Sequence, residues 1–499
     1  MPVSRVVSFS LVAAAASSLA LALTACGSTA PTGVVGSGSP DTGVLTFPQK
    51  ADAGHDVGTT PPVDAGHDTS TGTNQDTGVD AGMAPDNTFP AFLPDVPQVV
   101  QGPGAVLANP VFVPVLFAGD QYTTELPSYL AAVGASQYWH DATAEYGVGA
   151  ATTSPAIILN ETMPALIDDS QLQVWLANEI GTDPRFGAIG ASLFDAGTFD
   201  AGSGFDASAP FLGTASQNPA IPQGAIYVIF LPSGTNVTLQ GSTSCQSFGG
   251  YHNSTDYPSN SETIVYAVVP RCGSLGNLTG FDELTGATSH EIAEAATDPD
   301  VGGNGEHTAF GSIDMNHIYW EFVLGGAEVG DMCAQFPQAF FTPSEAALSS
   351  YTVQRIWSNK AASAGEDPCR PLLSSTAEPF YFNAVPKGTT VGADFMGFNF
   401  PTLAVTAHKN VPTVVEVDAF STAAIPAPGW TVQAFDANAL MSGGGAALTF
   451  SPVQQNANNG NKLEFTVTSN GQNGTTHPFV LLSTDGILQN WWVGVEVDD

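Results

Sequence analysis

The stretch Thr288-Ser289-His290-Glu291-Ile292-Ala293-Glu294-Ala295-Ala296-Thr297-Asp298-Pro299 holds residue types and spacings that can do chemistry. On a helix, residues four apart share a face, so the His290 imidazole and the Glu294 carboxylate can grip one ion. Glu291 lies beside them, placed to take a proton from a water polarised by that ion. The chemistry this spells is metal-assisted hydrolysis, with His290 and Glu294 as ligands and Glu291 as the catalytic general base.

The pattern is similar to the H-E-x-x-H of zinc peptidases, with glutamate in place of the second histidine. A His/carboxylate set also occurs in catalytic zinc sites, so a divalent metal ion, zinc first, is the expected cofactor. The surroundings strengthen this. Between Arg271 and Arg355 there is no lysine or arginine, yet the interval carries 12 acids. A surface helix sets lysines four residues from its glutamates. Here the neighbours of His290 and Glu294 are Ala, Ile and Thr, as on a helix packed inside. Buried carboxylates need a cation or strongly raised pKa values. Downstream, Glu328-Val329-Gly330-Asp331-Met332-Cys333 supplies two more acids next to a cysteine, and Glu328 or Asp331 is the expected third ligand. The competing reading has these acids facing solvent and His290 hydrogen-bonded to Glu294.

The elements that must position these residues read as alternating strands and helices from about residue 108. Val111–Phe117, Ala156–Leu159, Ile226–Leu231 and Thr263–Val269 have strand composition. Helical spacing runs over Leu126–Tyr146 with a break at Gly134, over Asp169–Ile180, and over Asp282–Thr297, where Asp298-Pro299 stops it. The expectation is an α+β domain, zincin-like, with an exposed active helix against a small mixed sheet. After Cys369 short apolar alternations separated by Gly, Pro and Asn follow one another, which predicts an all-β sandwich of immunoglobulin-like size. Its default role is spacer or adhesion, with sugar binding through Trp430, Trp491 or Trp492 as a weaker idea. A Phe-Asp-Ala unit repeated at Phe194, Phe199 and Phe205 reads as an inserted loop; calcium on Asp195, Asp200 and Asp206 is its rival reading.

The chain of 499 residues carries 10 basic and 47 acidic residues, a formal charge of -37, so nucleic acid is excluded as a partner. Arg5 followed by the apolar Val12–Leu23 and then Leu23-Thr24-Ala25-Cys26-Gly27 reads as a lipoprotein signal peptide (1–25), with lipidation of Cys26 anchoring the protein to a membrane. An ordinary signal peptide with a chance cysteine is the alternative. Residues 26–90 form a Gly/Thr/Asp-rich stalk with Asp-Ala-Gly-His-Asp at Asp52–Asp56 and again at Asp64–Asp68, too poor in apolar residues to fold. The α+β domain then covers 91–372 and the β-domain 373–499. The expected location is the cell envelope, facing the periplasm or the outside. Such a compartment favours disulfides among Cys245, Cys272, Cys333 and Cys369; Cys245–Cys272 and Cys333–Cys369 close the shortest loops, and a zinc thiolate cluster is the rival reading.

An ordered series of segments resembles the EXORDIUM, or phosphate-induced, family of secreted plant proteins and its bacterial relatives. It runs through Ile226-Tyr227-Val228-Ile229, Cys245, Gly250-Tyr251-His252 and Ile264-Val265-Tyr266-Ala267-Val268. It continues through the His290 helix, Glu328…Cys333, Val353-Gln354-Arg355-Ile356-Trp357-Ser358 and Cys369. The resemblance covers about residues 108–370. It implies an exported protein of the cell surface or wall, and it makes His252, from the family's Gly-x-His, a ligand or a residue supporting the ligands, with Asp298 beside it. Two functions stand at this point: a metallohydrolase, peptidase-like, acting on a peptide; or a non-catalytic surface protein binding a glycan or a protein partner.

Overall fold

Ala225–Phe230 is an unbroken run of β-branched, aromatic and aliphatic residues, and every one of its side chains is buried. That is the signature of a central strand covered on both faces. In the computed structural model, which describes residues 87–187, 224–257, 262–301, 308–373, 380–395, 397–442 and 445–498, it pairs in parallel with Val111–Phe117 on one side and Glu262–Val269 on the other. Thr152–Thr153 and Ile157–Leu159 add to the outer side of Val111–Phe117. Tyr251–Tyr257 closes the opposite edge antiparallel to Glu262–Val269, with His252 facing Ala267 in register. The signal peptide, Cys26, the stalk and the Phe-Asp-Ala repeats lie outside the described residues.

Alternate residues of these strands feed two cores. Tyr227, Ile229, Tyr266 and Val268 pack with Leu172, Trp175, Leu176 and Ile180 of the helix Asp169–Thr182. Ile226, Val228, Val265 and Ala267 pack with Leu284, Ala287, Ile292 and Ala295 of the helix Phe281–Thr297. The domain is therefore a mixed sheet with helices on both faces.

The Phe281–Thr297 helix corrects one expectation. It is not exposed: every residue from Glu283 to Thr297 is buried. Composition explains this, because Gly, Ala, Ser and Thr dominate its surface and let strands and loops approach from all sides. Gly286 touches Leu278 and Phe340, for example, at distances that leave no room for a Cβ. Asp282 and Glu283 complement the positive end of the helix dipole in its first turn.

The C-terminal residues form two sheets. Phe382–Pro386, Thr413–Ser421, Lys462–Ser469 and Leu448–Ser451 make one, in that order. The other runs Thr389–Phe395, Phe398–Ala407, Leu488–Asp498, Thr476–Asp485, Trp430–Asp436, Gln454–Ala457. Burial alternates along Trp430–Asp436 and Lys462–Ser469, as in strands with one face on a core. Trp430, Trp491 and Trp492 belong to that core, at 1 %, 1 % and 4 % exposure, so none can stack on a sugar. Trp491 instead meets Phe336 and Trp492 meets Trp320, with ring centroids 6.2 and 5.5 Å apart, which joins the second domain to the first. Cys245–Cys272 and Cys333–Cys369 are both disulfides. No helix among the described residues is long and apolar enough to cross a membrane.

Candidate metal centre

Glu294 is the hub. Its Oε1 accepts the backbone N–H groups of Gly330 (3.0 Å) and Asp331 (3.1 Å), which ties the helix to the loop carrying Asp331. That leaves Oε2 facing two imidazoles: His290 Nε2 at 3.0 Å and His252 Nδ1 at 3.5 Å. His290 and Glu294 meet because they are one turn apart. His252 arrives from the edge strand, whose pairing aims residue 252 at the same helix face.

Around the hub two groups of ligand atoms form. His290, Glu294 and Asp331 offer three atoms within 4.8 Å of one another, and so do His252, Glu291 and Glu294. In the first, His290 Nε2 is 3.7 Å from Asp331 Oδ1. Ligands about 2 Å from a tetrahedral ion sit roughly 3.3 Å from each other, so 3.0 and 3.7 Å bracket what zinc asks for. In the second, His252 Nδ1 is 3.8 Å from Glu291 Oε2.

The tautomer of His290 follows from its neighbour. Gln354 Nε2 donates to the Gly330 carbonyl (2.7 Å), which fixes the amide so that its Oε1 faces His290 Nδ1 at 3.0 Å. An amide oxygen only accepts, so Nδ1 carries a proton, and Nε2, which faces Glu294 and Asp331, is the nitrogen left to bind an ion in exchange for its own proton. Gln354 is itself held by Ser289 Oγ, which accepts its backbone N–H at 2.8 Å.

Four glycines fit closely around these side chains. A Cβ on Gly330 would come within 2.6 Å of Glu294 Oε1 and 2.7 Å of His290 Nδ1, and one on Gly250 within 2.6 Å of Glu291 Oε1. On Gly311 and Gly326 it would collide with the carboxylates of Asp298 and Asp331. The backbone thus leaves space for the polar groups and for nothing larger.

Burial would push the histidines to the neutral form, but the carboxylates overcome it. Glu294, Glu291 and Asp331 raise His290 well above its usual range, and Glu328, Glu291 and Glu294 do the same for His252. Burial would raise Glu294, yet the two histidines draw it down to about 2. The cluster is thus a strong well for positive charge. Arg355, next along the chain from Gln354, is spent on Asp367 and on backbone carbonyls of Cys369 and Pro371. The donor set, its spacing and its need for a cation fit a divalent ion.

The expected residues therefore divide. His290, Glu294 and Asp331 come together, with Glu291 on the adjoining side. Glu328 does not join His290; its Oε1 lies 3.5 Å from His252 Nε2. The Asp298 carbonyl meets the same nitrogen at 3.2 Å, while its carboxylate accepts the Ala309 N–H at 2.6 Å, so Asp298 supports the site rather than entering it. Gln354 and the glycine cradle were not foreseen; Gln354 stood in the motif series without a role.

No family model matches the chain, and no curated protein matches it. Among solved structures, a conjugative transposon lipoprotein from Bacteroides eggerthii is similar over 24 % of this chain and 98 % of its own length, at 12 % identity and a TM-score of 0.15. A likeness of that degree carries no argument about fold or function. The EXORDIUM resemblance rests on its motif series alone.

Proposed function

We propose that this chain is a metal-dependent hydrolase of the peptidase type, exported and held at the cell envelope by a lipid on Cys26. The observation that carries it is the convergence of His290 Nε2, Glu294 Oε2 and Asp331 Oδ1 beside the Glu291 carboxylate. His290, Glu294 and Asp331 would hold a divalent ion, zinc by the ligand types, and such an ion would supply a water of lowered pKa and a polarised carbonyl. Glu291 is the proton acceptor. His252 sits against both Glu291 and Glu294, where an imidazolium stabilises negative charge as it develops. Gln354 keeps His290 in the ligating tautomer.

Burial favours a second reading. Side-chain exposure is 0–4 % for His252, His290, Glu291, Glu294 and Asp331, and only Glu328 reaches 14 %. An ion so enclosed could serve the fold alone. The protein would then be a non-catalytic, EXORDIUM-like surface protein whose second domain, immunoglobulin-like in size, binds a glycan or protein partner.

One experiment separates them. The full chain, purified without chelators, is assayed for bound metal by plasma mass spectrometry and for cleavage of a mixed peptide library, beside His290→Ala, Glu294→Ala and Glu291→Gln. One zinc fewer in both ligand variants than in wild type, with cleavage lost in Glu291→Gln while its zinc stays, is the expected result. Zinc without cleavage by the wild type selects the structural ion. A folded wild type without metal at this site sinks both forms of the metal reading.

A further inference from the structure

We infer that the C-terminal domain holds a divalent-cation site of its own, made by His477, Glu496 and Asp498 on two neighbouring strands of one sheet. The three side chains offer ligand atoms within 4.8 Å of one another. Register explains the meeting. His477 and Glu496 are directly opposed on antiparallel strands, and Asp498, two residues further, projects from the same face.

The site is built rather than incidental. Glu496 and Asp498 are 0 % and 1 % exposed. His477 Nε2 lies 3.3 Å from Asp498 Oδ2, and that oxygen also accepts from Ser469 Oγ (2.9 Å) and Thr475 Oγ1 (3.1 Å). The other oxygen, Asp498 Oδ1, is buried and accepts no hydrogen bond among the described residues. A buried carboxylate oxygen in that state calls for a cation. Lysine does not supply one. Lys387 is paired with Glu416 and Asp418, Lys409 and Lys462 point to solvent, and residues 380–499 contain no arginine.

Gly471 leaves the space. A Cβ there would collide with Asp498 Oδ2, His477 Nε2 and Thr475 Oγ1 together. The His477 side chain, 15 % exposed, opens the cluster to solvent and gives an ion its way in. One imidazole nitrogen with carboxylate and hydroxyl oxygens selects a borderline transition ion such as zinc over calcium, which takes oxygen ligands only. The three ligands share one sheet, and Ser469 Oγ, from the other sheet, donates to Asp498 Oδ2 and so holds that ligand in place from across the core.

The test is zinc stoichiometry and thermal midpoint of the full chain, stripped with chelator and reloaded with zinc or calcium. Wild type, His477→Gln, Asp498→Asn and His290→Ala are compared. His477→Gln exchanges a ring that is 15 % exposed for an amide of similar reach, so its fold should survive even if Asp498→Asn does not. The expected result is one zinc fewer in His477→Gln than in wild type, with tenfold or more weaker loading of that zinc and a smaller zinc-dependent rise in midpoint. His290→Ala keeps this zinc. Equal zinc in wild type and folded His477→Gln overturns the site, as does calcium raising the midpoint as much as zinc. A single zinc kept in His477→Gln and lost in His290→Ala leaves only the centre of the first domain. The opposite pattern leaves only this one.

Discussion

Two His/carboxylate clusters stand out among the described residues, one built on a helix and the other on strands, and they differ in how the sequence encodes them. In the first domain, His290 and Glu294 are four residues apart, and helical pitch alone makes them neighbours. In the second, His477 is separated from Glu496 by a full hairpin, and only strand register makes them neighbours. The first is also the more enclosed. It lies in a helix buried from Glu283 to Thr297, whereas the second keeps one edge open at His477. A buried hub answers to several partners at once, so removing it should disturb far more than removing a ligand at a domain edge.

That difference predicts the largest effect. Glu294→Ala strips the two imidazoles of their shared carboxylate and leaves the Gly330 and Asp331 N–H groups without their acceptor. The expected cost is about 3–5 kcal/mol, the range for breaking one side of a buried ionic network. Asp498→Asn, which keeps the shape and its hydrogen bonds, should cost about 1–2 kcal/mol in zinc-free buffer. Urea unfolding of the two variants measures both. Equal losses would mean that the second cluster is as central as the first, and the contrast drawn here fails.

The same contrast explains what was legible in the sequence. The ligand helix could be read because its apolar spacing, its acids and the Asp298-Pro299 stop coincide in one stretch. Asp331 could be shortlisted, together with Glu328, because both adjoin Cys333, which the disulfide to Cys369 fixes. The Tyr251–Tyr257 strand could not be read from its residues: Tyr-His-Asn-Ser-Thr-Asp-Tyr lacks apolar alternation, and only the motif resemblance drew attention to His252. The Thr389–Phe395 and Gln454–Ala457 strands carry little apolar signal for a related reason, since most of their side chains are not buried. Helix burial was legible in its Ala, Ile and Thr neighbours, whereas the exposed helix was an expectation taken from the zincin-like arrangement. The partnership of His477 with Glu496 and Asp498 has no local signal at all.

A smaller effect tests whether the helix-borne centre depends on close backbone approach. Gly330→Ala would place a methyl against Glu294 Oε1 and His290 Nδ1, both under 3 Å away. Overpacking of this kind costs about 1–3 kcal/mol and should weaken metal loading at His290 roughly tenfold or more. The matching change in the second domain, Gly471→Ala, should weaken only the loading that depends on His477. Zinc titrations of the two variants check the pair. Cross-talk between them would show that the sites are not independent.

The smallest effect lies within the ligand helix itself. Glu283 and Glu294 are both buried glutamates on one helix, but only Glu294 faces histidines. Burial pushes Glu283 up to about 7, with backbone N–H groups of Cys272 and Gly273 and the charge of Arg271 opposing only part of it. A carboxyl whose pKa is higher folded than unfolded favours the fold while protonated. Its contribution is fully present below the unfolded value near 4.5 and is lost as pH rises through about 7. Glu283→Gln should therefore match the wild type near pH 4 and be the more stable protein at pH 8. The difference should be about 1–2 kcal/mol, reduced from the full shift by the partial screening of this group and by the favourable charge it gives the helix N-terminus. Urea midpoints from pH 4 to pH 8 measure it. A gap that stays constant with pH would mean that Glu283 titrates normally, and that burial alone does not set glutamates on this helix apart from the one that meets His290 and His252.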